Sequence, residues 1–96
     1  MRITFHPEAE VEFNEAVLWY SKQSIGLDIE FVRCIDEAIS RINRNPGSFP
    51  ITYKQLRKTV VKKFPFIILY ESLKDDIRIM AIFHTRRNPK NWQKRS

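Results

Sequence analysis

Apolar positions recur in steps of three and four through the first half of the chain, and in steps of two or short unbroken runs through the second. The tetrapeptide Arg2-Ile3-Thr4-Phe5 alternates and predicts a short strand. His6-Pro7-Glu8 then opens a helix, with proline in the first turn, where its missing N–H does no harm. Glu8, Glu10 and Glu12 sit near the positive end of that helix, the favourable place for acids. Ala9, Phe13, Ala16, Val17 and Tyr20 give it one apolar face, and Ser24-Ile25-Gly26 ends it. Leu27, Phe31, Cys34, Ile35, Ala38 and Ile42 form a second stripe of about four turns. Asn45-Pro46-Gly47 stops it, because proline removes a helix donor and clashes with the preceding turn. So short a gap between two helices predicts an antiparallel hairpin.

The hairpin needs a surface to cover, and the second half supplies one. Residues 47–55 read as an irregular connection marked by Pro50. Residues 56–63 alternate around Val60 and Val61, residues 66–73 are apolar and rich in strand formers, and residues 77–84 follow a tight polar Lys74-Asp75-Asp76 turn. The last two runs form a hairpin, and Pro65 marks the turn before them. Asn88-Pro89 breaks the last strand, and Trp92 anchors the tail to the body. The predicted fold is α+β, in the order β-α-α-β-β-β: a mainly antiparallel sheet with a helical hairpin on one face, and the first strand joining the meander. All 96 residues belong to one domain.

Composition adds compartment and charge. The longest apolar run, residues 64–70, is far short of the ~20 residues that span a bilayer, and the N-terminus carries no signal-peptide pattern. The single Cys34 has no internal partner, so the expected address is the reducing cytoplasm, without membrane association. On an apolar helical face it reads as a buried, inert thiol. Residues 1–50 hold five Lys/Arg against eight Asp/Glu, a charge of −3; residues 51–96 hold twelve against three, a charge of +9; together they give the net +6. Such a split favours an acidic partner, either nucleic acid or an acidic protein segment.

Three stretches carry a resemblance. They are Phe5-His6-Pro7-Glu8-Ala9 at the start of the first helix, Leu56-Arg57 with the later Lys63-Phe64-Pro65-Phe66-Ile67-Ile68-Leu69-Tyr70, and the ending Ile79-Met80-Ala81-Ile82-Phe83-His84-Thr85-Arg86-Arg87-Asn88-Pro89 followed by Trp92. In this order, across nearly the whole chain, they resemble the ParE-like (plasmid stabilization) branch of the RelE/ParE toxins. The resemblance implies a toxin of a type II toxin–antitoxin system, held inactive by a cognate antitoxin whose C-terminal segment lies along a groove. ParE-like members poison DNA gyrase and inhibit growth. RelE-like members are ribosome-dependent mRNA endonucleases that need no metal. A third possibility is an inactive member kept only as an antitoxin-binding partner.

RNA cleavage needs a base for the 2′-hydroxyl, cations for the phosphorane and an acid for the leaving oxygen. Candidates are His84, Arg86, Arg87, Arg57, Lys62, Lys63 and Tyr70, with His84 and Arg87 as the catalytic pair if the chain is a nuclease. The bland alternative for His84 is a local hydrogen bond at a strand end. No tyrosine follows Tyr70, a departure from the tails of RelE-like nucleases that weakens this reading. Arg86, Arg87, Lys90, Lys94 and Arg95, interleaved with Trp92, form the expected target-binding patch. Arg57, Lys58, Lys62 and Lys63 place charge on both faces of one strand, as an exposed edge would. Such an edge can accept an added strand, so with Trp19 they are the expected antitoxin contacts. Glu8, Glu12 and Glu15 are expected on a face opposite much of the basic half. No residue cluster has metal-ligand spacing and no glycine-rich phosphate loop occurs, so no cofactor is expected.

Overall fold

The structure, a computed structural model, describes every residue except Asn88, Ser96 and the side chain of Asn91. Its elements are β1 (Arg2–Phe5), α1 (Pro7–Ser21), α2 (Leu27–Arg44), β2 (Ile51–Tyr53), β3 (Leu56–Val60), β4 (Phe66–Ser72), β5 (Asp76–His84) and α3 (Lys90–Gln93). The five strands make one sheet in the order β1-β5-β4-β3-β2. β1 runs parallel to β5, and the other neighbours are antiparallel. The fold is α+β, as the periodicities predict. No helix among the described residues is long and apolar enough to cross a membrane.

Local chemistry fixes the hairpin. His6 caps α1: its Nδ1 accepts the Glu8 N–H at 3.1 Å, satisfying a donor that the first helical turn leaves open. Gly26, at φ 84°, opens α2 in the left-handed region, where a side chain would strain the turn. The two apolar stripes then meet the sheet. Phe31 lies at the centre, its ring 5.0–6.1 Å from those of Phe13, Tyr20, Phe64 and Phe66, and it is fully buried. Burial of each such ring stabilises the fold by ~1.5–3 kcal/mol. Cys34 is buried in the same cluster, and burial raises its pKa, with Glu30 nearby adding to the effect.

The opposite face of the sheet has its own smaller cluster, Leu56, Leu69, Met80, Ala81 and Trp92. Trp92 in α3 covers it, with its ring 5.7 Å from Phe83 of β5 and 5.6 Å from Tyr53 of β2. The tail is therefore anchored by Trp92, and the second face is partly closed. A bulge opposite Leu69/Tyr70 shifts the in–out alternation of β5 by one residue. Ile77 and Ile79 join the hairpin-side core, Met80 and Ala81 the other cluster, and Ile82 the hairpin side again.

Several boundaries differ from expectation. The connection over residues 47–55 contains β2, which pairs antiparallel with β3 through Ile51↔Arg57 and Tyr53↔Leu56. The turn between them puts Lys54 at φ 51°, a conformation its sequence does not announce because glycine, asparagine and aspartate are the usual signals. β3 is consequently an interior strand over its first half and not an exposed edge; Pro50 even accepts the Lys58 N–H at 3.0 Å. It ends at Val60, which leaves Lys62 and Lys63 in the following turn. The first strand does not continue the antiparallel meander: it flanks β5 in parallel. The strand break expected at Asn88 lies outside the described residues, although β5 has already ended at His84.

Candidate functional site

β1 stops short of the end of β5. The last backbone–backbone bond between them is donated by His6 N–H to the Ile79 carbonyl at 2.8 Å, after which the chain turns away into α1. The pairing of Ile67 with Phe83 and of Leu69 with Ala81 turns the peptide groups of Ile82 and His84 away from β4. Between this edge and α1 lies a groove of about 750 Å³, lined by Ala16, Trp19, Phe66, Ile82 and His84, with both acids (Glu12, Glu15) and cations (Arg86, Arg87) in its wall. Trp19 is 57% exposed, a large aromatic left largely in water. Its ring meets Tyr20 edge-on at 5.0 Å, which fixes its position on the rim.

Below the groove, two side chains take the places of missing peptide groups. Glu12 Oε1 accepts the Ile82 N–H at 3.0 Å, and Arg95 Nη1 donates to the Met80 carbonyl at 3.0 Å. The pair is also bound to itself: Nη1 reaches Glu12 Oε1 at 2.8 Å and Nη2 reaches Oε2 at 3.0 Å. Arg95 Nε adds a bond to Glu8 Oε2 at 2.7 Å. The Arg95 side chain is only 7% exposed. Burial works against its charge, but the bonds and charges of Glu12 and then Glu8 outweigh it, so its pKa is raised. Breaking one partner of such a pair would leave a buried charge uncompensated.

The residues singled out by sequence scatter over three places. His84, Arg86, Arg87 and Trp19 converge on the groove. His84 Nδ1 accepts the Arg86 N–H at 3.1 Å, and its ring lies edge-on to Phe66 at 5.4 Å. Arg86 and Arg87 are exposed and form no ion pair among the described residues. Lys90 and Lys94 are exposed on α3 and just after it. Trp92 and Arg95, expected within an exposed patch, instead fasten the tail to the body. Glu8, Glu12 and Glu15 likewise do not face away from the basic half: its last arginine folds back onto the first two, and Glu15 lines the groove with Arg86 and Arg87.

The remaining cations serve the scaffold. Arg57 donates to the Gly47 and Phe49 carbonyls at 3.2 and 2.6 Å, pinning the connection after α2. Lys62 and Lys63 approach Glu37 and Glu30 at 4.0 and 3.2 Å, while staying exposed themselves. Arg33 and Lys63 together lower the Glu30 pKa. Lys58 is half-buried. Tyr70 is buried, donates its hydroxyl to the Pro46 carbonyl at 2.6 Å, and has a pKa raised by burial. The six-membered set of cations and Tyr70 proposed around His84 is thus not gathered into one centre.

A family model for the ParE toxin of the type II toxin–antitoxin system parDE matches residues 3–89. The chain belongs to the ParE toxin family. A solved structure described as the chromosomal ParDE TA system from P. aeruginosa contains a similar chain, with a TM-score of 0.74 and 17% identity over 88% of this chain and 95% of that one. At that identity the likeness speaks for the shared fold. No curated protein matches the chain in sequence. In this ParE-family chain, Glu12 and Arg95 are the pair that sequence reasoning missed. The signal was present in Glu12 itself: it falls with Ala9 and Ala16 on the three-to-four spacing of the buried face, where an acid requires a partner.

Proposed function

We propose that this chain is a cytoplasmic growth-inhibiting toxin that acts on DNA gyrase, and that a cognate antitoxin silences it by laying an acidic segment in the groove between α1 and β5. The observation that carries the antitoxin assignment is the pairing of an exposed Trp19 with Arg86 and Arg87, cations without an ion pair among the described residues, on one apolar groove. A peptide with one apolar and several acidic side chains complements Trp19 and these two arginines. Lys62 and Lys63, still reachable from solvent, and the half-buried Lys58 offer the same partner further cations. The gyrase target follows the family and a tail whose Lys90 and Lys94 are exposed. With Trp92 and Arg95 inside, these lysines are positioned by the tail's anchors instead of acting beside them.

An mRNA endonuclease centred on His84 and Arg87 would lack two of the groups expected around them. Tyr70 and Arg57 are committed to backbone carbonyls in and around the core. Controlled expression in a bacterial host, with pulse labelling of DNA, RNA and protein synthesis, separates the readings. Early arrest of DNA synthesis is expected. Early arrest of translation with fragmented mRNA would move the chain to the nuclease class, and unaffected growth would leave only an antitoxin-binding role.

A further inference from the structure

The two layers of the fold carry opposite charge. All eight Asp/Glu of residues 1–50 lie on α1 and α2. α1 holds Glu8, Glu10, Glu12 and Glu15 and no Lys or Arg. The sheet face turned away from these helices is cationic instead. Lys58 follows Leu56 by two residues and pairs with Leu69, so its side chain leaves on the side of the Trp92 cluster. Arg78 lies between Ile77 and Ile79, both in the hairpin-side core, and therefore leaves on that same side. Lys54 sets its ammonium 5.4 Å from the centre of the Tyr53 ring, which packs on Trp92. α3, which lays Trp92 over this face, carries the exposed Lys90 and Lys94. Against these cations the face sets Glu71, opposite Arg78 in the register. Lys58, Arg78 and Lys94 form no ion pair among the described residues.

We propose that this sheet face binds the phosphate backbone of double-stranded DNA without reading its sequence, and so holds the toxin on the DNA that gyrase engages. The role at gyrase rests on the target reading above; the binding itself does not. Lys58 and Arg78 are half-buried on neighbouring parts of one sheet, so their stems are already ordered and lose less freedom on meeting a phosphate than a fully exposed lysine would. Two strand spacings and two residues of rise put their Cα atoms about 12 Å apart. Cations so dispersed meet separate phosphates of a polymer and do not close on one small anion. An acidic peptide finds no free strand edge here, because β4 and β5 are interior to the sheet and β3 is flanked by β2. The acids of α1 repel a polyanion from the opposite layer, which fixes the side of approach. α3, with four residues, is too short to read bases along a major groove, so the contacts are to phosphate. Lys58 is also among the cations offered to the antitoxin, which therefore competes with DNA at that residue.

The test is fluorescence anisotropy of a short labelled duplex titrated with the free protein over a range of salt. Affinity is expected to fall with salt at a log–log slope of about −3, as three or four phosphate contacts would give. Lys58→Gln/Arg78→Gln should weaken binding about tenfold in moderate salt and reduce that slope by about 2. Lys22→Gln/Arg44→Gln removes as much charge from the helical layer and should leave the slope unchanged. Should the strand variants unfold, the exposed pair Lys54→Gln/Lys94→Gln carries the same expectation. Equal weakening by the helical-layer pair would reduce the binding to net charge and overturn the assignment. So would absence of binding, or a poly-glutamate peptide that competes as well as unlabelled duplex of equal charge. DNA binding absent while supercoiling is still inhibited overturns this proposal alone. DNA binding intact while gyrase is unaffected overturns the target reading and leaves the binding face standing.

Discussion

The two faces of the sheet are covered in different ways. On one, α1 and α2 bring Phe13, Tyr20, Phe31, Phe64 and Phe66 into a network in which each ring touches at least one other. On the other, a four-residue helix lays Trp92 over a smaller cluster, and Arg95 behind it is bound to Glu8, Glu12 and the Met80 carbonyl. Distributed apolar burial gives a cooperative core, whereas a short helix laid over a small cluster can open without unfolding what lies beneath. The aromatic face sets the fold, and the tail over the other face carries Lys90 and Lys94, the cations that the proposed function assigns to the target.

The sharpest way to break the comparison is to remove its centre. Phe31→Ala should cost about 3–5 kcal/mol by urea denaturation and leave a domain of this size barely folded. Trp92→Ala should cost less, about 2 kcal/mol, because the tail can swing away instead of leaving a sealed cavity. Its hydrogen exchange should rise over residues 89–95 while the protection around Phe31 persists. A loss as large as that of Phe31→Ala would mean the two faces fold as one unit. Tyr70→Phe should cost about 1–2 kcal/mol, since the Pro46 carbonyl loses its donor in the core.

Alkaline pH probes the aromatic face more gently. Burial raises the pKa of Cys34, Tyr20 and Tyr70. The folded chain thus keeps protons that the unfolded chain releases. Their contribution is fully present below about pH 8.5, the ordinary thiol value, and declines above it, the thiol first and the tyrosines from about pH 10. The urea midpoint should fall over that range, and Cys34→Ser should remove the earlier part of the fall. A midpoint that held constant to pH 11 would contradict the burial of these groups.

How much of this was legible depended on how local the information was. Both helical stripes, the cap at His6 and the β4–β5 hairpin rest on spacing within a few residues, and each appears where the pattern puts it. β2 was hidden because three residues are too few to show alternation, and its turn uses Lys54 at positive φ. That one omission also misplaced β3 at an edge and turned Arg57 from a scaffold residue into a surface contact. The division of the basic tail was not legible either. Lys94 and Arg95 are adjacent cations in sequence, and only the fold sends one to solvent and the other to Glu12.

The most direct test of the central claim is a supercoiling and cleavage assay with purified gyrase, plasmid and this protein. The account predicts inhibited supercoiling with accumulation of gyrase-trapped cleaved plasmid, weakened by Lys90→Glu/Lys94→Glu and reversed by the co-expressed antitoxin. Unperturbed gyrase at protein concentrations that arrest growth, together with His84-dependent mRNA cleavage in translating extracts, would contradict it.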